Sequence, residues 1–285
     1  METNKVWHTK RKGLVWFLSI LLSVSLFLGG LQLGTILQMN PWEHWRPNYA
    51  KEDISQLIVK EELTEEDYRL LYRQTGLTRL GVDSLRNKGN AKRILEVQES
   101  YFETAELEVL NFTVFTNIDY IDHSIVFGDL QEGDIIVSAC TYVSGFRFGH
   151  SALVVDGENE IILECYSPGT YSKLEHLGVS MGSLANAMVL RPKLDESVRR
   201  NVADRAASEL LGIPYFMLAG VVSPKYTERL ERTQCTHIIW YAYKKYAGVD
   251  LDGNGGLVVK PRDIFRSEQM ELVQVYGFNP ETLWN

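Results

Sequence analysis

The chain has 285 residues, of which 45% are hydrophobic and 23% charged, and a formal net charge of −8. Those proportions are ordinary for one large or two small globular domains. Residues 1–12 carry Lys5, Lys10, Arg11 and Lys12 against Glu2, which leaves 25 basic and 36 acidic side chains for the remainder. So acidic a body argues against a general nucleic-acid binder, whose affinity comes from neutralising phosphates. Three cysteines, Cys140, Cys165 and Cys235, are too few and odd in number for a disulfide framework. The chain holds no CxxC, HExxH, GxxxxGK[ST] or GxGxxG pattern, and no metal or cofactor is expected.

No charged side chain occurs from Gly13 to Trp42, and Leu14 to Leu37 is mostly Leu, Val, Ile, Phe and small residues. About 20 apolar residues span a bilayer core. The run is longer than the apolar core of a secretory signal peptide, and no Ala-x-Ala cleavage site follows it. A retained anchor is therefore preferred to a cleaved signal or a buried soluble helix. Lys10, Arg11 and Lys12 precede the span and Glu43 is the first charge after it, so the positive-inside rule puts residues 1–12 in the cytoplasm. The bulk of the chain then lies outside the cytoplasm, with Trp42 and Trp45 suited to the far interface. The domain reading is a cytoplasmic tail at 1–12, an anchor at 13–37, a linker and helical region at 38–127, and a main domain at 128–285.

Residues 38–50 read as a juxtamembrane linker. From about 52 to 105 the pattern is helical: Thr64 and Asp67 form a capping box with Asp in place of Glu, and Gly76 stops the run that contains Tyr68, Leu70 and Leu71. Further helices are expected over Arg79–Arg86 and Ala91–Glu103. At Gly133 the pattern changes to short β-branched runs, Asp134–Cys140, His150–Asp156, Ile161–Tyr166 and Ala187–Arg191, separated by turns. These predict a meander-like antiparallel sheet. A helix with Val198, Val202, Ala206 and Leu210 along one face follows, then one from Cys235 to Tyr246, with edge strands expected at 257–259 and 271–276. The class is α+β.

Cys235 opens an apolar helix, where unpaired amides and the helix dipole stabilise a thiolate and can hold an oxyanion. A nucleophile needs a base, and a base needs an orienting acceptor. His237 lies two residues on and faces away from Cys235. His150 opens a strand behind Gly149, and if the strands on either side of residues 156–160 pair as a hairpin, position 150 faces 166 and lies diagonal to 164. Glu164, which interrupts an apolar strand, then reaches the His150 ring. Each residue taken singly has a plainer reading, as a buried thiol, a strand-end histidine or a solvated glutamate. Gln234 and Tyr142 are candidates for a second oxyanion donor.

Gly133-Asp134-Ile135-Ile136, then Gly149-His150-Ser151-Ala152-Leu153-Val154-Val155, Leu163-Glu164, Gly212-Ile213-Pro214-Tyr215, Cys235 opening a helix, and Pro261-Arg262-Asp263-Ile264 follow in an order that resembles the permuted NlpC/P60-type cysteine hydrolases, in particular the YiiX/YebB-like group. The resemblance covers about residues 128–275. It implies a circularly permuted papain-like domain with an antiparallel sheet and flanking helices. It also implies Cys235 as nucleophile, His150 as base and Glu164 as orienting residue. Thr236 and His237 depart from the Ser and the acidic residue common after the nucleophile. The activity implied is hydrolysis of a peptide or other amide, including peptidoglycan-derived material. A non-catalytic binding module and a thiol acyltransferase are the alternatives.

Three further features are read as minor. Asp250, Asp252 and Asn254 imitate half of a calcium loop, but position 12 would be Pro261, so a turn is the better reading. Asn111-Phe112-Thr113 is a glycosylation sequon. Cys140 and Cys165 lie where a disulfide is conceivable, with two free buried thiols preferred.

Overall fold

The structure of the protein, a computed structural model, describes residues 2–38, 44–113, 116–143 and 146–284. Helix α1 (Glu2–Gln38) is continuous, and within it Lys12–Leu33 is long and apolar enough to cross a membrane, with its side chains exposed. At 1.5 Å per residue those 22 residues reach about 33 Å, close to the thickness of a hydrocarbon core. Trp42 lies outside the described residues. Trp45, expected at the interface, instead packs on the folded body: its amide donates to the Gly277 carbonyl at 2.7 Å and its ring meets Tyr101 at 6.0 Å. The indole finds apolar partners in the chain itself, so it has no need of the lipid boundary.

Helices α2 (Ser55–Ile58), α3 (Glu65–Thr75), α4 (Arg79–Asn87) and α5 (Arg93–Phe102) form the expected helical region. The capping box is present: the Asp67 amide donates to Thr64 Oγ1 at 3.2 Å and the Thr64 amide to Asp67 Oδ2 at 2.7 Å. Leu71, Leu77, Val82, Leu85, Ile94 and Val97 gather into one buried cluster. The helical character ends at Phe102. The following residues, which lie in the 38–127 linker and helical region with no element of their own expected, form β1 (Leu107–Thr113) and β2 (Thr116–Ile121), a hairpin with Leu107 opposite Ile121. No glycine or proline punctuates the change from helix to strand, so composition alone does not mark it.

The rest of the chain runs β3 (Ile135–Ser138), β4 (Thr141–Val143), β5 (Phe146–Arg147), β6 (His150–Asp156), β7 (Ile161–Glu164), β8 (Lys173–His176), α6 (Leu177–Ser180), β9 (Ala187–Pro192), α7 (Glu196–Glu209), α8 (Cys235–Tyr246), α9 (Pro261–Phe265) and β10 (Met270–Tyr276). Two antiparallel sheets result, ordered β1-β2-β4-β5 and β10-β9-β3-β6-β7-β8. The expected strand over 134–140 ends at Ser138, and the chain then crosses to the smaller sheet. The larger sheet is not a simple meander, because β9 returns beside β3 and carries β10 on its outer edge. The expected strand at 257–259 is irregular, while that at 271–276 is β10.

Both faces of the larger sheet are covered, so its central strands read as unbroken apolar runs. Ile135, Val137, Leu153 and Leu163 pack against Val202 and Ala206 of α7 and Ile238, Ile239 and Ala242 of α8. Ile136, Ala152, Val154 and Ile162 pack on the opposite side with Ile118 and Met181. Cys140 and Cys165 are free, buried thiols on different surroundings: Asn186 beside the first and the Ile213 carbonyl beside the second. In the calcium-like segment, Asp252 Oδ1 accepts from the Asn254 amide and Asn254 Oδ1 from the Gly256 amide, as in a turn, and the Lys225 ammonium binds Asp252 and the Gly256 carbonyl.

Candidate active site

Strand β6 pairs with β7 through Leu153 opposite Leu163 and Val154 opposite Ile162. That register, carried two residues back, puts His150 diagonal to Glu164 on one face of the sheet. Their side chains meet, with His150 Nε2 at 3.2 Å from Glu164 Oε2, and each residue is only 2% exposed. Gly149 makes the start of β6 possible. It sits at φ +80°, and a Cβ there would lie 2.3 Å from the Ser138 carbonyl oxygen. The edge of the Tyr166 ring system approaches the imidazole at 4.7 Å and near a right angle, which restrains its plane.

Glu164 is a buried carboxylate and must be satisfied. Ser180 Oγ donates to Oε2 at 2.5 Å, and the Lys173 ammonium lies 3.7 Å from Oε1. Burial alone would raise the proton affinity of this carboxyl. The His150 hydrogen bond and charge, helped by Ser180 and Lys173, bring its pKa below the ordinary value.

Helix α8 packs across β6 and delivers Cys235 to the same place. Ser151 Oγ donates to Thr236 Oγ1 at 2.9 Å and ties the first turn of α8 to the strand. Cys235 is 8% exposed. Cys235 and His150 line the same pocket, and since Nε2 serves Glu164, Nδ1 is the ring nitrogen left to meet the sulfur. Burial opposes a thiolate here. The His150 hydrogen bond and positive charge, with Thr236 and the Ser151 amide, outweigh burial and lower the thiol pKa. His150 shows the converse. Burial would lower it, but the hydrogen bonds and charges of Cys235 and Glu164 push it up to about 9. The other two cysteines have no such partner, and burial drives both up to about 12.

The three residues singled out by spacing are thus brought together, while two other readings, of Tyr142 and Gln234, change. His237 turns away, held by Thr233 Oγ1 at 3.0 Å and the Lys225 carbonyl at 2.7 Å. Tyr142 is not at the site: it is fully buried, and its hydroxyl donates to Asp119 at 2.5 Å. Gln234 lines the same pocket, but its polar atoms are engaged elsewhere. Its Oε1 accepts from the Thr236 amide at 2.9 Å and from the Cys235 thiol at 3.2 Å, and its Nε2 donates to the Val259 carbonyl at 2.8 Å. It caps α8 rather than reaching toward substrate.

Cys235 and His150 face a pocket of about 140 Å³ whose walls include Phe148, Tyr166, Tyr215, Met217 and Val259. Tyr215 belongs to the Gly212-Ile213-Pro214-Tyr215 segment but carried no assigned role in the sequence. It is fixed by its amide to the Thr170 carbonyl at 2.9 Å, and burial with the nearby Cys235 charge raises its phenol pKa. Ser180 is likewise invisible to spacing, since it comes from a four-residue helix after an irregular segment. Among the described residues, no group of three or more His, Cys, Asp and Glu side chains is placed to hold a metal ion.

No family model matches the chain. Over 82 residues it is 35% identical to the curated protein YycO of Bacillus subtilis (strain 168), described as uncharacterized; the match covers 29% of this chain and 32% of YycO. The chain therefore aligns with about a third of the length of that relative. Among solved structures it is similar to YiiX of Escherichia coli O157:H7, described as a metalloprotein, at 19% identity and a TM-score of 0.38, over 50% of this chain and 96% of YiiX.

Proposed function

We propose that this chain is a membrane-anchored cysteine hydrolase of permuted papain-like, NlpC/P60-type design that cleaves an amide bond through Cys235, His150 and Glu164. The observation that carries this reading is the placement of Cys235, at the first turn of α8, and His150, paired with Glu164 at 3.2 Å, on one pocket. The lowered thiol and raised imidazole of that pair agree with an acid and base assignment.

The Cys235 thiolate adds to the substrate carbonyl. The Cys235 amide, one of the unpaired first donors of α8, holds the developing oxyanion, and the Tyr215 hydroxyl is the second donor. The C–N bond breaks as His150 gives its proton to the leaving amine. His150 then takes a proton from water, the hydroxide attacks the thioester, and the carboxylic acid leaves with the thiolate restored. Glu164 stabilises the imidazolium and fixes its orientation throughout. The Lys10-Arg11-Lys12 flank of the span supports an N-terminus in the cytoplasm and a site outside it.

Trapping the intermediate tests this reading. Full-length protein is mixed with peptide amides and cell-wall-derived peptides, quenched in acid and digested. A thioester mass on the Cys235 peptide, absent from Cys235→Ala, is expected. Product formed only when an acceptor amine is present would make the protein an acyltransferase. A chain that binds these compounds but never acylates or releases product would be a binding module.

A further inference from the structure

The calcium-like segment after α8 has no part in the chemistry assigned so far, yet it is built around a positive charge that the chain itself supplies. The Asp252 side chain is fully buried, and its carboxylate takes the Lys225 ammonium, which also donates to the Gly256 carbonyl at 2.7 Å. The same ammonium stands 4.6 Å from the centre of the Trp240 ring, and that indole donates to Asp250 Oδ1 at 2.7 Å. A buried carboxylate left without its cation is costly, so the pair is firm. A lysine thus neutralises the acidic pattern that imitates a calcium loop.

Lys225 and Asp252 belong to two different segments, and each segment supplies a wall beside Cys235. Residues 217–232 form an excursion between α7 and α8 that holds no helix or strand. Its base is closed where the Phe216 amide donates to the Thr233 carbonyl at 2.5 Å and the Thr233 amide to the Pro214 carbonyl at 3.1 Å. Met217 and Leu218 of the excursion line the pocket, as do Val258 and Val259 of the segment after Asp252. The two segments meet again at Gly220, at φ +89°, where a Cβ would lie 2.0 Å from the Leu257 carbonyl oxygen and 3.8 Å from Lys225 Cβ. The Lys225 carbonyl accepts from His237 Nε2 at 2.7 Å, which joins the clasp to the first turn of α8, two residues past Cys235. His237, turned away from the sulfur, therefore has a use as an anchor for the excursion.

We propose that Lys225 is a positioning residue for the candidate active site: by holding Asp252 and the Gly256 carbonyl it fixes the Met217–Leu218 wall against the Val258–Val259 wall, and so sets how large a group can approach Cys235. This rests on Cys235 acting as the nucleophile and adds the element that controls access to it. A segment without helix or strand opens at low cost, so its course depends on side-chain ties of this kind. The clasp touches neither the sulfur nor the imidazole. Loosening it should change which reagents reach the thiol while leaving the ionisation of the thiol as it was.

Labelling of Cys235 in the full-length protein with two haloacetamides of different size tests this. Iodoacetamide reports the thiol, and iodoacetamidofluorescein reports the width of the approach. Lys225→Met and Asp252→Asn should each raise the ratio of the bulky to the small rate at least fivefold, with the iodoacetamide rate and its pH midpoint unchanged. The double variant should go no further than either single one, because both break the same contact. Lys225→Arg keeps the charge and should stay within twofold of the wild type. Hydrogen exchange over β6 and α7 checks that each variant is folded, and if Lys225→Met loses protection there, Asp252→Asn and Lys225→Arg decide. A ratio that stays at the wild-type value when the clasp is broken in folded protein, or that Lys225→Arg raises as far as the clasp-breaking variants do, would overturn the positioning role and leave the hydrolase reading standing. A Cys235 that reacts with neither reagent until denatured would overturn both.

Discussion

Two buried charge clusters sit on the larger sheet and differ in one respect. At one, Arg191 of β9 lies between Asp134, with contacts of 2.7 and 2.8 Å, and Asp129 at 3.3 Å. Lys88 and Ser84 complete Asp129 at 2.7 and 2.6 Å. Two carboxylates meet two cations, and each charge is paired within the set. At the other, Glu164 and the Cys235 sulfur share the imidazole of His150, and the sulfur faces a pocket. Burial makes both expensive to leave unpaired. Both clusters border open volume, but the first pairs its charges with one another, while the second presents a thiol to its pocket.

That contrast can be broken most sharply at Cys235. Cys235→Ala should lower amide turnover by more than about a thousandfold, the usual scale for a lost nucleophile. The side chain is small, so stability should change by only about 1 kcal/mol. Turnover assays beside denaturant melts check both. A large melting drop with unchanged turnover would make Cys235 a structural thiol like Cys140 and Cys165.

The charge-paired cluster should respond in the opposite sense. Arg191→Ala leaves the buried Asp134 without its cation, while Asp129 keeps Lys88 and Ser84, and should cost about 3–5 kcal/mol of stability. The fraction that stays folded should keep the iodoacetamide rate of wild-type Cys235. A changed rate in folded protein would mean that the two clusters are coupled through β3 and β6.

Glu164 sharpens the comparison, because it acts through His150. Glu164→Gln should lower turnover by up to about a hundredfold, at the weak end of what acid–base groups contribute. It should also move the labelling midpoint of Cys235 upward by less than His150→Ala does. Equal shifts would show that Glu164 touches the sulfur chemistry directly.

The smallest expected effect is on stability against pH. His150, raised from 6.5 to about 9, contributes stability that is full below 6.5 and lost as pH rises through about 9. Cys235, lowered from 9.0, contributes stability that is full above 9.0 and lost as pH falls through its lowered value. Where the two windows overlap below about 9 the folded and unfolded pairs hold the same number of protons and the slopes cancel; above about 9 both pairs are deprotonated and no slope remains, so the contribution falls only on the acid side, as Cys235 is protonated. Unfolding free energies across pH should show that plateau in the wild type, and subtracting the Cys235→Ala curve should isolate it.

The sequence made the chemistry more legible than the topology. His150 and Glu164 were placed together by a short hairpin, where one register decides every contact. Cys235 was marked by its place before an apolar helix. Residues supplied over longer distances were not legible: Ser180 reaches Glu164 from α6, and Tyr215 enters the pocket from the segment between α7 and α8. The β1–β2 hairpin was missed because its apolar residues follow the helices without a break. Tyr142 and Trp45 were misplaced for a shared reason. An aromatic residue with a polar edge suits many settings, and which one it takes is decided by distant partners, Asp119 for Tyr142 and Gly277 for Trp45.

The central claim is that Cys235, unlike the other two buried thiols, is ionised near neutrality. Iodoacetamide labelling of the folded protein from about pH 5 to 10, read separately on the Cys140, Cys165 and Cys235 peptides by mass spectrometry, tests it most directly. Cys235 should label at a near-constant rate through neutrality with a midpoint well below the ordinary cysteine value near 8.5, while Cys140 and Cys165 stay unlabelled. Three cysteines that label alike, or a Cys235 that reacts only after denaturation, would contradict the account.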